Sequence, residues 1–263
     1  MKILCTDLEG TLAPEIWQEL GEHLNIPELN LTTRDIPNFE DLMRQRMETL
    51  KTNEIKFSEI KKFLASIEMK ILCTDLEGTL APEIWQELGE HLNIPELNLT
   101  TRDIPNFEDL MRQRMETLKT NEIKFSEIKK FLASIEPFEG AKKFLSALKN
   151  KYQVVIVSDT FYELGLPVVE KLGNYPILCH HLEIEDDYIS GYEKRQDNPK
   201  KSVIQGFSKM NFECFCIGDS YNDIQMIDEA KGAFIFAPDE IKKSRPDIIS
   251  FDNYKDLQNH LLK

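Results

Sequence analysis

The chain has 263 residues, 41% hydrophobic and 30% charged, with a formal net charge of −14, the composition of an ordinary globular protein. An acidic balance argues against a nucleic-acid partner, whose backbone calls for a basic face. No apolar run approaches the roughly 18–20 residues of a membrane-spanning helix, and the charge met early in MKILCTDLEG predicts no secretory leader.

Residues 1–68 recur letter for letter as residues 69–136. Each copy holds 8 Lys+Arg and 13 Asp+Glu, so the two copies carry −10 of the charge and residues 137–263 carry −4. A unit this long and this exact is no solenoid repeat, whose periods run about 20–50 residues with imperfect copies. One copy joined to 137–263 makes 195 residues, enough for one core and a small accessory module. The five cysteines, Cys5, Cys73, Cys179, Cys214 and Cys216, show no metal-ligand cadence, and reduced thiols in a cytoplasmic protein are expected. Cys214 and Cys216 are expected on alternating faces of a strand.

From residue 69 onward, strand and helix patterns alternate. Lys70–Thr74 is a short apolar run that predicts a buried strand. Pro82 suits a first helical turn, and Ile84, Trp85, Leu88 and Leu92 mark a helix over Glu83–Leu92. Phe107, Leu110, Met111, Met115 and Leu118 mark a second helix, and Phe125–Ile135 a third. Gly140–Leu148 reads as helix and Tyr152–Val157 as strand. Further strands are predicted at Pro176–Cys179 and Glu213–Ile217, a hairpin at Leu182–Glu193, and helices at Lys200–Ser208, Asp223–Ala230 and Asn253–Leu262. This alternation implies an α/β fold with a parallel, Rossmann-like sheet, and the three helices after the first strand read as a small inserted helical cap. The predicted organisation is a duplicated appendage at 1–68, a core at 69–81 and 137–263, and a cap at 82–136.

Ligands of an open parallel sheet bind at the carboxyl ends of its strands. The polar residues there are Asp75-Leu76-Glu77-Gly78-Thr79, then Ser158-Asp159-Thr160, then Gly218-Asp219-Ser220-Tyr221-Asn222-Asp223, with Asn198-Pro199-Lys200-Lys201 between. Two carboxylates on different strand ends can hold Mg²⁺, a hard cation that prefers oxygen. A lysine and a serine can receive phosphoryl oxygens. An aspartate can attack phosphorus, splitting one hard hydrolysis into two easier steps, and Glu77 can serve as general acid and base.

These motifs resemble the haloacid dehalogenase-like phosphatases: DLEGT at 75–79, VVIVSDT at 154–160, the lysine of NPKKS at 198–202 and GDSYND at 218–223. LMRQRMETL at 110–118, PFEGA at 137–141 and VVIVSDTFYE at 154–163 narrow the resemblance to the phosphoserine phosphatases. PEIW at 82–85, TTRDIP at 100–105 and Glu77 resemble a branch that also transfers phosphoryl groups to homoserine. The resemblance implies that Asp75 is the nucleophile and a metal ligand, and that Glu77 is the acid/base with its main-chain carbonyl on Mg²⁺. It implies Asp219 as a metal ligand with Asp223 supporting the metal shell, Ser158, Lys200 and Asn222 at the phosphate, and Glu83 and Arg114 on the amino and carboxylate groups of phosphoserine. An arginine fork suits a carboxylate. Two departures stand out, Glu77 where the family usually has Asp, and Asp159-Thr160 where it commonly has glycines.

Taken singly, these residues have plainer readings: solvated loop carboxylates, a helix N-cap in GDSYND, a surface lysine at 200 and an exposed helix arginine at 114. His180 and His181 face opposite ways if both lie on a strand, which argues against a shared metal; Tyr221 and Trp85 read as packing residues. Copy one carries Asp7, Glu9, Glu15 and Arg46 in place of Asp75, Glu77, Glu83 and Arg114, but nothing matching Ser158, Lys200 or Asp219. One core accepts one nucleophile strand, and copy two is joined to 137–263 without a 68-residue loop, so Asp75 is the expected nucleophile. Three functions remain open: a phosphoserine phosphatase with a homoserine acceptor, a phosphatase of another small phosphomonoester, or an inactive scaffold. A homodimer is the assembly left open.

Overall fold

The computed structural model describes residues 16–60, 70–101, 103–149 and 151–263, in two compact units, Met1–Glu68 and Met69–Lys263. In the first unit α1 (Ile16–Leu24) and α2 (Phe39–Thr52) flank a 3-10 turn at Pro27–Asn30. Leu20, Ile26, Leu29 and Leu50 form its small core. Asn38 caps α2 by accepting from the Asp41 amide, the capping that Asn provides for an orphan N–H. The expected residues Asp7, Glu9 and Glu15 lie outside the described residues; Arg46 is buried, donates to the Leu31 carbonyl and stacks over Trp17.

The second unit runs β1 (Lys70–Thr74), α3 (Ile84–Leu92), α4 (Phe107–Thr120), α5 (Phe125–Leu132), α6 (Ala141–Leu148), β2 (Tyr152–Phe161), α7 (Tyr162–Leu172), β3 (Ile177–Glu185) and β4 (Tyr188–Glu193). It continues through α8 (Pro199–Lys209), β5 (Cys214–Gly218), α9 (Tyr221–Ile227), β6 (Lys231–Ile235), α10 (Asp239–Ser244), β7 (Ile249–Phe251) and α11 (Tyr254–Leu262). The strands lie in the order β4-β3-β2-β1-β5-β6-β7, every pair parallel except β3 with β4. Copy two's strand is therefore the central one: Thr74 pairs with Ile156 on one side and Ile217 on the other. The chain crosses from β2 on one side of β1 to β5 on the other, the switch-point geometry that opens a crevice at the carboxyl edge.

Helices cover both faces, as a buried parallel sheet requires. Leu72, Val154 and Ile156 face a core with Phe144 and Leu148 of α6, Val168 of α7 and Leu257 of α11. Ile71, Cys73, Val155 and Val157 face the opposite core with Val203 and Ile204 of α8 and Met226 of α9.

Several expectations change. Cys214 and Cys216 join the same core as Cys73, because residues two apart on a strand share a face and do not alternate. Ser158-Asp159-Thr160 lies inside β2 rather than after it, through an irregularity between Val157 and Phe161 where β3 continues alongside. The predicted strand at 176–179 and the first arm of the hairpin are one strand, β3. Helix α7 was not expected. Pro167 lies within it, against propensity, and burial of Leu164, Val168, Val169 and Leu172 outweighs that cost. The short β6, α10 and β7 were also not expected. Among the described residues no helix is long and apolar enough to cross a membrane.

Candidate active site

Three strand ends converge. Asp75 follows β1 directly, with its amide donating to the Ile217 carbonyl of β5 at 2.9 Å. Ser158 lies within β2, and Asp219 follows β5. Two glycines permit the close approach. Gly78 has φ +73°, and a Cβ there would collide with the Asp219 carboxylate; a Cβ at Gly218 would collide with that of Asp223. Glycine is the residue for both a left-handed turn and a backbone pressed against a functional group.

Lys200, on the first turn of α8, is buried among carboxylates. Its Nζ donates to Asp75 Oδ2 at 2.9 Å and Asp223 Oδ1 at 2.7 Å, and lies 3.7 Å from Asp159 Oδ2. Burial opposes its charge, but Asp223, Asp75 and Asp159 together hold the ammonium well above the usual lysine range. The acids outnumber it. Burial pushes Asp75 well above the ordinary carboxylate range against the pull of Lys200, and Asp223 and Asp219 push the same way. Burial, with Asp223 next, lifts Asp219 to about 7.

Asp223 braces this cluster. Its Oδ2 accepts from the amides of Asp219 and Ser220 and from the Ser220 hydroxyl, at 2.9–3.0 Å. With the Ser220 side chain accepting in turn from the Asp223 amide, the Ser220–Asp223 pair forms a capping box at the start of α9. Asp219 Oδ1 also accepts from the Thr79 hydroxyl at 3.1 Å, and Tyr254 of α11 donates to the Thr79 carbonyl at 2.7 Å. Thr79 and Tyr254 were not anticipated as site residues; their link spans 175 residues and leaves no local signal.

Glu77 is half-buried, desolvation raises its carboxyl, and its Oε1 accepts from the Ile84 amide at the start of α3 at 2.8 Å. Arg114 of α4 is buried as well. Its Nη2 donates to the Leu99 carbonyl at 2.7 Å, its guanidinium lies 4.7 Å above the Trp85 ring, and its Nε has no partner. Burial lowers it to about 10, while Glu77 and Glu83 pull the other way. Trp85 is thus more than packing: it is the floor for the guanidinium. Glu83 precedes α3 and is exposed, and Asn222 is exposed on the first turn of α9. One cavity of about 1170 Å³ is lined by Asp75, Glu77, Glu83, Arg114, Ser158, Lys200, Asp219 and Asn222. Asp223 sits behind that wall. His180 also lines the cavity; its Nδ1 accepts from the Arg195 amide, whereas His181 Nδ1 pairs with Glu163. The two imidazoles serve separate partners.

The donor set fits a hard divalent cation. Carboxylate oxygens of Asp75, Asp219 and Asp223 lie within 4.8 Å of one another, all oxygen, with a negative excess over Lys200 that a cation would relieve. Asp223 Oδ2 already takes three donors and Oδ1 takes Lys200, so Asp75 and Asp219 are the carboxylates with capacity to spare.

The haloacid dehalogenase-like hydrolase family matches residues 1–231. Phosphoserine phosphatase ThrH of Pseudomonas aeruginosa is 41% identical over 197 residues, covering 74% of this chain and 96% of that protein. Phosphoserine phosphatase of Pseudomonas syringae pv. tomato is 37% identical, covering 74% of this chain and 83% of that one. The solved phospho-aspartyl intermediate analogue of a phosphoserine phosphatase superposes with TM-score 0.62 at 25% identity, over 73% of this chain and 99% of that one. A mostly parallel sheet with this strand order, a carboxylate-bearing motif at its central strand end and these matches agree: the chain belongs to the haloacid dehalogenase-like hydrolases, within their phosphoserine phosphatase family.

Proposed function

We propose that the chain hydrolyses phosphoserine through an aspartyl-phosphate formed on Asp75. The observation that carries this reading is a buried carboxylate at the central strand end, 2.9 Å from a buried lysine and beside Asp219 and Asp223. Asp75 attacks phosphorus as the bond to the serine oxygen breaks, and Glu77 supplies the proton that oxygen needs. Glu77 then takes a proton from water, which attacks the same phosphorus and frees Asp75 and phosphate. Lys200, Ser158 and Asn222 receive the phosphoryl oxygens. Glu83 and Arg114, from the cap helices, take the ammonium and carboxylate of the substrate, Arg114 with donors its Leu99 contact leaves over. Mg²⁺ would be held by Asp75, Asp219 and the Glu77 main-chain carbonyl, with Asp223 as support, and would neutralise phosphoryl charge.

Phosphate release from phosphoserine and a small panel of other phosphomonoesters tests this. Turnover of phosphoserine above the panel, abolished by EDTA and restored by Mg²⁺, is the expected result. Equal turnover across the panel would point to another substrate, and no turnover at all to an inactive scaffold.

Homoserine is proposed as a second acceptor. The supporting observation is the tether of Glu77, a longer side chain than the family's usual Asp, to the Ile84 amide. Glu77→Asp, one methylene shorter, is expected to lower the ratio of phosphoryl transfer to hydrolysis about fivefold, roughly 1 kcal/mol of differential barrier. An unchanged ratio removes the idea. Cytoplasmic residence, read from cysteine usage, and a homodimer are proposed as well; cell fractionation and light scattering check them.

A further inference from the structure

We propose that Thr160 is the positioning residue for Glu77. Its hydroxyl holds the free end of that carboxyl while the Ile84 amide holds the other. The proposal rests on the acid/base role given to Glu77 above.

Thr160 is 3% exposed, and its Oγ1 is buried without a hydrogen-bond partner. A buried hydroxyl left unpaired is costly, so such a group at a cavity wall points to a contact made during function. The cavity it lines is the one lined by Asp75, Glu77 and Ser158. Its rotamer is constrained from behind. The Cγ2 methyl faces Gly165 of α7, where a Cβ would come within 3.2 Å of it, and a β-branched side chain so packed has little χ1 freedom. Its amide also donates to Ser158 Oγ at 3.4 Å, so one residue addresses both the phosphate-binding serine and the acid/base.

Glu77 supplies the complement. Oε1 is committed to the Ile84 amide. The Thr160 hydroxyl is near enough to favour the ionised carboxyl, yet it makes no aligned hydrogen bond. A small shift of the Glu77 carboxyl on substrate binding would complete the bond, and contacts of this kind tighten in the reacting complex. On this proposal a glutamate is preferred, because its extra methylene lets one carboxyl serve the Ile84 amide and Thr160 together.

The test is a double-mutant cycle on kcat and KM for phosphoserine with wild type, Thr160→Val, Glu77→Asp and the double variant. Thr160→Val keeps the packing against Gly165 and removes the hydroxyl. It is expected to lower kcat about tenfold, the worth of one hydrogen bond to a charged group, with KM changed less than about twofold. In the Glu77→Asp background the same change is expected to cost less than about twofold. Thr160→Ser, which restores the hydroxyl, should recover most of the kcat and keeps the proposal testable should Val disturb folding. Equal losses from Thr160→Val in both backgrounds, a change confined to KM, or a Ser variant as impaired as Val would overturn the pairing. Failure of the underlying reading looks different: Glu77→Ala with unimpaired kcat sinks the acid/base role itself, whereas independent effects in an enzyme that needs Glu77 sink only the pairing.

Discussion

Asp75→Asn is expected to lower phosphate release from phosphoserine by at least about a thousandfold while leaving the fold intact. An amide of the same shape fits the buried position but offers no nucleophilic oxygen and no negative charge to a cation. The stability consequence runs opposite to ordinary intuition about losing an ion pair. Burial and the neighbouring Asp223 and Asp219 already push Asp75 well above its usual range, against Lys200, so its ionised form is strained in the cation-free protein. Neutralising it leaves Lys200 with Asp223 at 2.7 Å. The thermal midpoint of Asp75→Asn in EDTA is therefore expected to match or exceed that of wild type, as read by circular dichroism. A lower midpoint would show that the Asp75–Lys200 contact contributes more than the carboxylate repulsion costs.

Lys200→Met carries the second large effect, and it moves stability the other way. Removing the ammonium strips Asp75, Asp223 and Asp159 of their shared countercharge in a site where Lys200 is 4% exposed. Breaking a buried pair from one side costs about 3–5 kcal/mol, and the lower end is expected because a carboxyl can take up a proton to relieve the excess. Urea unfolding in EDTA measures it. Activity is expected to fall about 10²–10³-fold through loss of the cation that meets the phosphoryl oxygens. Divalent cation should recover part of the lost stability and little of the activity. A Lys200→Met chain as stable as wild type in EDTA would contradict the charge balance described for this site.

Local features are legible in the sequence where local physics decides them. The two copies show this directly. Asn38 caps α2 and Asn106 caps α4 through the same side-chain contact, and Arg46 over Trp17 matches Arg114 over Trp85. Burial differs where residues beyond the repeat pack against copy two. Phe39 is 64% exposed, while Phe107 packs against Tyr192 and His180, so the same letters acquire different environments from the rest of the chain. The polar clusters at the strand ends were legible because short apolar runs locate the strands and the motifs follow them. Position within the cluster was not. Lys200 reaches Asp75 across 125 residues, and its three carboxylate neighbours have no sequence-local trace. The course of β2 through Ser158 and Thr160 was missed for the same reason: pairing with β3, set elsewhere in the chain, extends it beyond its apolar run. Thr160 was visible as a strand-end polar residue and a departure from a family pattern; its buried, unpaired hydroxyl emerges from packing against α7.

The second copy is proposed to supply the working nucleophile, because Lys70–Thr74 occupies the strand slot between β2 and β5. Peptide mapping of a phosphorylated aspartate cannot separate the copies, since their sequences are identical. Steady-state phosphate release by Asp7→Asn and Asp75→Asn, assayed side by side on phosphoserine with Mg²⁺, can. Near-wild-type turnover is expected for Asp7→Asn and essentially none for Asp75→Asn. Turnover retained by Asp75→Asn and lost by Asp7→Asn would contradict the assignment.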